Sequence, residues 1–176
     1  WRQSTDRRVY GLTGTIGAAG STIQRVSADG TMITYKWVSG NDYIAFEGPG
    51  GQDKLTWSSA NGGAWTWTDA DSRITETYEA YGSDNWRIVQ QADVDGNALT
   101  FSYTGGQLYR VTTADGSYTE YTWSGSNITS VVTGYTDLAA SQSKTPTRTR
   151  YAYDELNRLI EVRVDLSPKD KSEAAL

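Results

Sequence analysis

The side chains able to do chemistry in this chain are carboxylates, hydroxyls and aromatic rings. Histidine and cysteine are both absent, which removes the commonest general base, the commonest metal ligands, thiol nucleophiles and disulfides together. Paired carboxylates can still cleave glycosidic bonds without histidine, and by residue type Asp69, Asp71, Glu76, Asp93 and Asp95 are the candidates. Nothing in their spacing opposes two of them across a cleft. Surface turns account for them, so no catalytic residue is assigned and the chain is expected not to be an enzyme. Asp93-Val94-Asp95-Gly96-Asn97 has the alternating carboxylates and glycine bend that open a calcium loop, but Thr104 stands where the loop's closing glutamate belongs. The expectation is a hairpin turn, with no metal and no cofactor. Trp57, Trp65, Trp67 and Trp86 could stack on sugar rings if exposed; otherwise they form the packed face of a sheet. Gly11, Gly14, Gly17 and Gly20 recur every third residue without the Lys-Ser/Thr of a phosphate loop. The sequon at Asn127-Ile128-Thr129 falls on a turn and is read as chance.

The elements that must position these groups follow from composition. With 7 Trp, 12 Tyr, 18 Gly, 3 Pro and 2 Phe among 176 residues, alongside many Thr and Ser, the bias is toward strands joined by turns. No apolar run reaches the roughly 20 residues needed to span a bilayer as a helix, and the first residues lack a signal-peptide pattern. The formal charge of −5 opposes extended contact with nucleic acid. Acids crowd residues 69–95 and basic residues crowd 144–163, as solvated faces do.

Internal periodicity is the strongest signal. Phe101-Ser102-Tyr103 through Leu108 to Val111 and Tyr121-Thr122-Trp123 through Ile128 to Val131 are 20 residues apart, as are Asp95-Gly96 and Asp115-Gly116. The landmarks are an aromatic-x-aromatic pair, a short Gly/Ser turn, an aliphatic residue and a valine. A further copy runs from Tyr151-Ala152-Tyr153-Asp154 through Asn157-Arg158-Leu159 to Val162, and weaker ones include Ile23 to Val26 with Tyr35 and Trp37, and Trp65 with Trp67 leading to Arg73-Ile74. Each unit reads as a hairpin with a two-residue turn at Asp-Gly, where positive φ is tolerated. The parity of Thr119, Tyr121 and Trp123 sends them to one face, so stacked hairpins should build an aromatic ladder. Gly48-Pro49-Gly50-Gly51 predicts a turn between strands near Tyr43–Phe46 and Lys54–Trp57. The expected architecture is all-β: tandem antiparallel hairpins forming a twisted, curved, extended sheet with exposed edges. Residues 1–22 are a Gly-rich entry segment, 23–164 the array with a loop inserted at 134–149, and 165–176 a polar tail.

Tyr-x-Tyr-Asp-x-x-Asn-Arg-Leu-x-x-Val at Tyr151 to Val162, with the Asp-Gly turns and the 20-residue step, resembles the YD repeat of Rhs proteins, teneurins and the shell components of insecticidal toxin complexes. The resemblance covers roughly Ile23 to Val164. Asp154 has no counterpart after Tyr103 or Trp123, and Arg158 is matched only by Arg73. It implies a non-catalytic wall segment of a large secreted or cell-surface bacterial protein, whose hairpins enclose or present a toxin or adhesion domain. Its partners would be flanking repeats of the parent chain and an encapsulated C-terminal toxin domain. A glycan or cell-surface module built on exposed aromatics is the alternative.

Overall fold

Strands form here because Thr, Tyr, Val, Ile and Trp alternate with polar residues at period two, and Gly, Asp and Asn cluster where the chain must reverse. The computed structural model describes residues 6–46, 51–137, 142–166 and 168. They divide into two units, one ending at Ala98 and one beginning at Leu99. The structure is all-β and its paired strands are antiparallel.

Unit 1 holds β1 (Arg8–Thr13), β2 (Thr22–Val26), β3 (Met32–Ser39), β4 (Asp42–Ala45), β5 (Lys54–Ser58), β6 (Ala64–Thr68), β7 (Thr75–Ala80) and β8 (Asn85–Ala92). Each strand pairs with the next, and β1 returns to β8 through Arg8 opposite Arg87, Val9 opposite Trp86 and Tyr10 opposite Asn85. The sheet therefore closes into an eight-stranded barrel instead of the open array expected from the repeats. Closure satisfies both edges that an open sheet would leave unpaired. It also corrects the reading of residues 1–22 as an entry segment, since β1 is a full wall strand. Inside, every strand contributes one side chain with no exposed surface: Val9, Ile23, Tyr35, Tyr43, Leu55, Trp65, Tyr78 and Ile88. An eight-stranded barrel is just narrow enough for side chains to fill it, and this belt is the filling.

Tryptophans complete that core. Trp65 meets Tyr43 edge-on at 5.1 Å and packs between Trp57 at 5.1 Å and Trp86 at 6.1 Å. Such aromatic pairs contribute about 0.5–1.5 kcal/mol each beyond their buried area. The Gly-rich connection between β1 and β2 folds against one end of the barrel: the Gly17 amide donates to the Tyr43 hydroxyl at 2.9 Å, and Ser21 Oγ lies 2.8 Å from the same oxygen.

Unit 2 is a meander of β9 (Ala98–Thr104), β10 (Gln107–Thr113), β11 (Ser117–Ser124), β12 (Asn127–Asp137), β13 (Gln142–Tyr153) and β14 (Leu159–Asp165). The repeat landmarks become cross-strand partners in all three hairpins. The first aromatic pairs with valine: Phe101 with Val111, Tyr121 with Val131, Tyr151 with Val162. The second aromatic pairs with the aliphatic residue: Tyr103 with Leu108, Trp123 with Ile128, Tyr153 with Leu159. An irregularity in register separates the two pairs each time, the local twist that a β-bulge introduces. The stretch 134–149, expected as a loop, is largely strand: β12 and β13 remain paired from Ser130 opposite Arg150 out to Asp137 opposite Gln142. Gly134 is needed there, because a Cβ would lie 2.2 Å from the Lys144 carbonyl oxygen and 2.6 Å from the Tyr118 hydroxyl. Of the polar tail, Asp165 closes β14, and residues 169–176 lie outside the described residues. So does most of the Gly48 to Gly51 turn, although its flanking strands pair as expected with Tyr43 opposite Leu55.

The Asp-Gly turns differ from the expected two-residue form. At Ser27–Thr31, Asp93–Asn97, Thr113–Ser117 and Asp154–Arg158 the amide of the fourth residue donates to the carbonyl of the first, at 3.0, 3.2, 3.1 and 2.9 Å. Only that fourth residue takes positive φ: Gly30 at 87°, Gly96 at 84°, Gly116 at 84° and Asn157 at 58°. This is a three-residue loop, a tight turn closed by one left-handed residue.

Candidate binding site

Two placements of a carboxylate serve the same turn. Asp93 and Asp154 sit first and accept amides of the third and fifth residues: Asp95 and Asn97 in one case, Leu156 and Arg158 in the other. Asp29 and Asp115 sit third, accept the Thr31 and Ser117 amides, and take hydroxyl donors from Ser27 and Thr113. These bonds favour the charged form. The Ser27 hydroxyl, seconded by Thr31, lowers Asp29 to about 2, and Asp93, Asp115 and Asp154 are lowered by their turn donors in the same way. The calcium-like Asp93 is thus a turn cap, with Asn97 Nδ2 donating to its second oxygen at 2.9 Å. Arg158 closes an ion pair back to Asp154 at 2.7 Å. Arg73 is not its equivalent, since it occupies the left-handed position at φ 61° that Asn157 holds in the other turn.

The aromatic candidates for sugar stacking separate. Trp65, Trp67 and Trp86 are buried inside the barrel, which corrects the exposed-platform reading for these three, although Trp67 lines the cavity at one barrel end. The cause is closure, which turns one face of the sheet inward. Trp57 is half-buried against Trp65 and Trp86.

The concave feature of unit 1 lies at the barrel end opposite the Gly-rich connection, a cavity of about 500 Å³ lined from β2, β3, β6, β7 and β8 and from the Ser27–Thr31 and Asp69–Ile74 turns. Its floor is a charged network. The Arg25 guanidinium carbon lies over the Trp67 ring, 3.6 Å from its centroid, and Nε donates to the Tyr78 hydroxyl at 2.9 Å and to Glu76 at 3.2 Å. Glu76 also takes Arg7 and the Tyr78 hydroxyl, and Arg7 reaches Gln91 Oε1 at 2.6 Å. Trp67 Nε1 donates to the Tyr35 hydroxyl at 2.9 Å. Burial alone would raise Glu76, but the Arg25 charge and the donors around it win and hold its carboxyl below the ordinary range. Burial pushes the Tyr35 hydroxyl up to about 12 and Tyr78 well upward too, so both stay protonated, Tyr35 accepting from Trp67 and Tyr78 donating to Glu76. The network is satisfied from within, as a buried ion pair must be to persist.

The rim is acidic. Asp29, Asp53, Asp69, Asp71 and Glu76 line the cavity with one arginine, Arg25. Asp69 is occupied by the Asp71 and Ser72 amides and the Ser72 hydroxyl. Asp53 accepts the Ala70 amide at 3.0 Å, and burial, with Asp69 and Asp71 nearby, raises its carboxyl above the usual range despite that bond. The sequence had singled out Asp69, Asp71 and Glu76 by type; the structure brings these three together and leaves Asp93 and Asp95 outside the cavity lining. Arg25, Asp29 and Asp53 were not recognised as site residues. The available signal was a charged residue, Arg25, sharing the inward parity of Ile23.

Among the described residues no group of three or more metal-ligating acids is arranged to hold a metal ion, and no helix is long and apolar enough to cross a membrane. No protein-family model matches the chain, and no curated protein matches it either.

Proposed function

We propose that this chain is a non-catalytic hairpin-repeat scaffold of the YD (Rhs) type, wall material of a larger secreted or cell-surface bacterial protein that encloses or presents a toxin or adhesion domain. The observation that carries the reading is the identical pairing of the landmarks in three successive hairpins, aromatic with valine and aromatic with aliphatic across a bulge. The Tyr-x-Tyr-Asp signature is then a structural device. Its tyrosines clasp Val162 and Leu159 across the hairpin, and its aspartate caps the turn. Flanking repeats would act on β14, whose Ile160, Val162 and Val164 are 65%, 51% and 61% exposed. Exposed apolar residues on a strand with one described neighbour are what a further hairpin covers.

Sedimentation of the isolated chain tests this. An uncovered wall edge should give concentration-dependent self-association that Val164→Lys, at an exposed position outside the landmark pairs, suppresses without lowering the thermal midpoint. A wild-type chain that stays monomeric, with the β14 amides already protected from exchange, would contradict the scaffold reading. Saturable binding on a glycan array that Trp57→Ala abolishes would instead favour the carbohydrate-binding alternative.

A further inference from the structure

The barrel mouth has a charge pattern that the scaffold reading does not use. The floor carries its own countercharges, since Glu76 is paired with Arg25 and Arg7. The rim does not. Asp53 is 94% buried, its residue exposure being 6%, and one oxygen takes the Ala70 amide while the other has no hydrogen-bond donor among the described residues. No lysine or arginine among the described residues forms an ion pair with it. The Arg25 charge reaches Asp53 but is already committed to Glu76, so this buried carboxylate is left under-compensated. Asp71, exposed on the same rim, likewise has no side-chain donor among the described residues. Between these carboxylates the lining is apolar or aromatic: Ile33, Ile74, Ala28 and the Trp67 ring.

We propose that this cavity binds an organic cation, a primary ammonium carried on a short aliphatic chain, with Asp53 as the buried anchor, Asp71 as the rim contact and Ile33 and Ile74 against the chain. A mouth of a β-barrel is a common place for a small-ligand site, and the cavity of about 500 Å³ is of the size such ligands occupy. The lining selects the sign of the ligand's charge, because Asp29, Asp53, Asp69 and Asp71 repel an anion while the one lining arginine, Arg25, is paired with Glu76. It also selects an ammonium with an apolar stem over a bare hydrated ion. The ammonium discharges Asp53, and the stem covers the isoleucines. The same chemistry is available from a free diamine or from a lysyl side chain.

Calorimetric titration of the whole chain at 150 mM NaCl with 1,5-diaminopentane and, separately, with Nα-acetyl-lysine methylamide tests the proposal. Saturable binding of either probe, with a dissociation constant of about 1 mM or tighter, is the expected result. The diamine alone binding assigns the site to free amines; the lysine derivative binding as well extends it to a lysyl group. Asp53→Asn should weaken binding about tenfold or more, and Asp71→Lys, which places a tethered cation at the rim, should do the same if Asp53→Asn fails to fold. Asp115→Asn, in a unit 2 turn, should leave the affinity unchanged. No saturable binding of either probe to the folded wild type would overturn the proposal. An equal loss in Asp115→Asn would overturn it too, by showing attraction to net negative charge alone.

Discussion

The two units use one hairpin grammar and reach different ends. Unit 1 curls until β1 meets β8, so one face of its sheet becomes an interior and the other a surface. Unit 2 repeats its hairpins in line, and β14 keeps a row of exposed apolar side chains. The turns do not decide between these outcomes, because the same capped three-residue loop occurs at Ser27–Thr31 in the barrel and at Thr113–Ser117 in the meander. The inward positions do. Unit 1 places Tyr35, Tyr43, Trp65 and Tyr78 there with no exposed surface, large rings that fill a closed interior. In unit 2 the paired rings Tyr121 and Tyr151 stay half-exposed, and Arg110, Glu120 and Arg150 occupy alternate positions. Closure is therefore a property of what the strands bury, and the repeat register is compatible with either form.

The largest expected contrast comes from removing one ring in each unit. Trp65→Ala should cost about 3–5 kcal/mol, as deleting a fully buried aromatic does, whereas Tyr121→Ala should cost about 1 kcal/mol or less, the scale of a cross-strand pair. Urea unfolding followed by circular dichroism measures both, and equal losses would remove the distinction between a packed interior and a half-exposed sheet.

Next comes the barrel floor. Glu76→Gln leaves Arg25 and Arg7 without their shared carboxylate and should destabilise by about 3 kcal/mol near neutral pH. The acid response follows from the lowered Glu76 carboxyl. A group with a folded-state value below its unfolded one contributes stability that is complete above the unfolded value, about 4.3 for glutamate, and drains away as pH falls through the folded value. Wild type should therefore lose more stability than Glu76→Gln between about pH 5 and 3, seen as convergence of their denaturation midpoints. Parallel curves would mean that Glu76 does not titrate on unfolding.

The smallest effect belongs to the turns. Asp154→Ala removes an exposed cap that holds the Leu156 and Arg158 amides, and should lower the thermal midpoint slightly, with Asp115→Ala doing the same through the other cap placement. A midpoint drop as large as that of Trp65→Ala would show that the turn nucleates the fold.

How far these features were legible in the sequence follows from their range. The landmarks of unit 2 were visible because each set lies within one hairpin: a turn at Gly125-Ser126 sets Trp123 opposite Ile128, while Tyr121 meets Val131 and not Ser130 only because of the register shift between the two pairs. The strands flanking Gly48 to Gly51 were visible for the same reason. The barrel was not, because Val9 and Trp86 are joined by no local pattern, and the glycines at 11, 14, 17 and 20 read as a flexible or edge segment entering the array. The residues lining the cavity were only half visible. Asp69, Asp71 and Glu76 attract notice by type, but their meeting with Arg25 and Asp53 depends on closure. The misread Asp-Gly turns have a more local cause: Gly30, Gly96 and Gly116 supply the one positive φ a three-residue loop needs, and the dipeptide alone cannot distinguish that loop from a two-residue one.

Residue-resolved amide hydrogen exchange on the intact chain tests the contrast between a closed barrel and an open meander most directly. The account predicts that amides of β1, such as Val9, exchange as slowly as those of the central strand β5, because β1 has hydrogen-bonded neighbours on both sides, while the outward amides of β14 exchange fast. Rapid exchange along β1, matching that of β14, would contradict closure and return unit 1 to an open sheet.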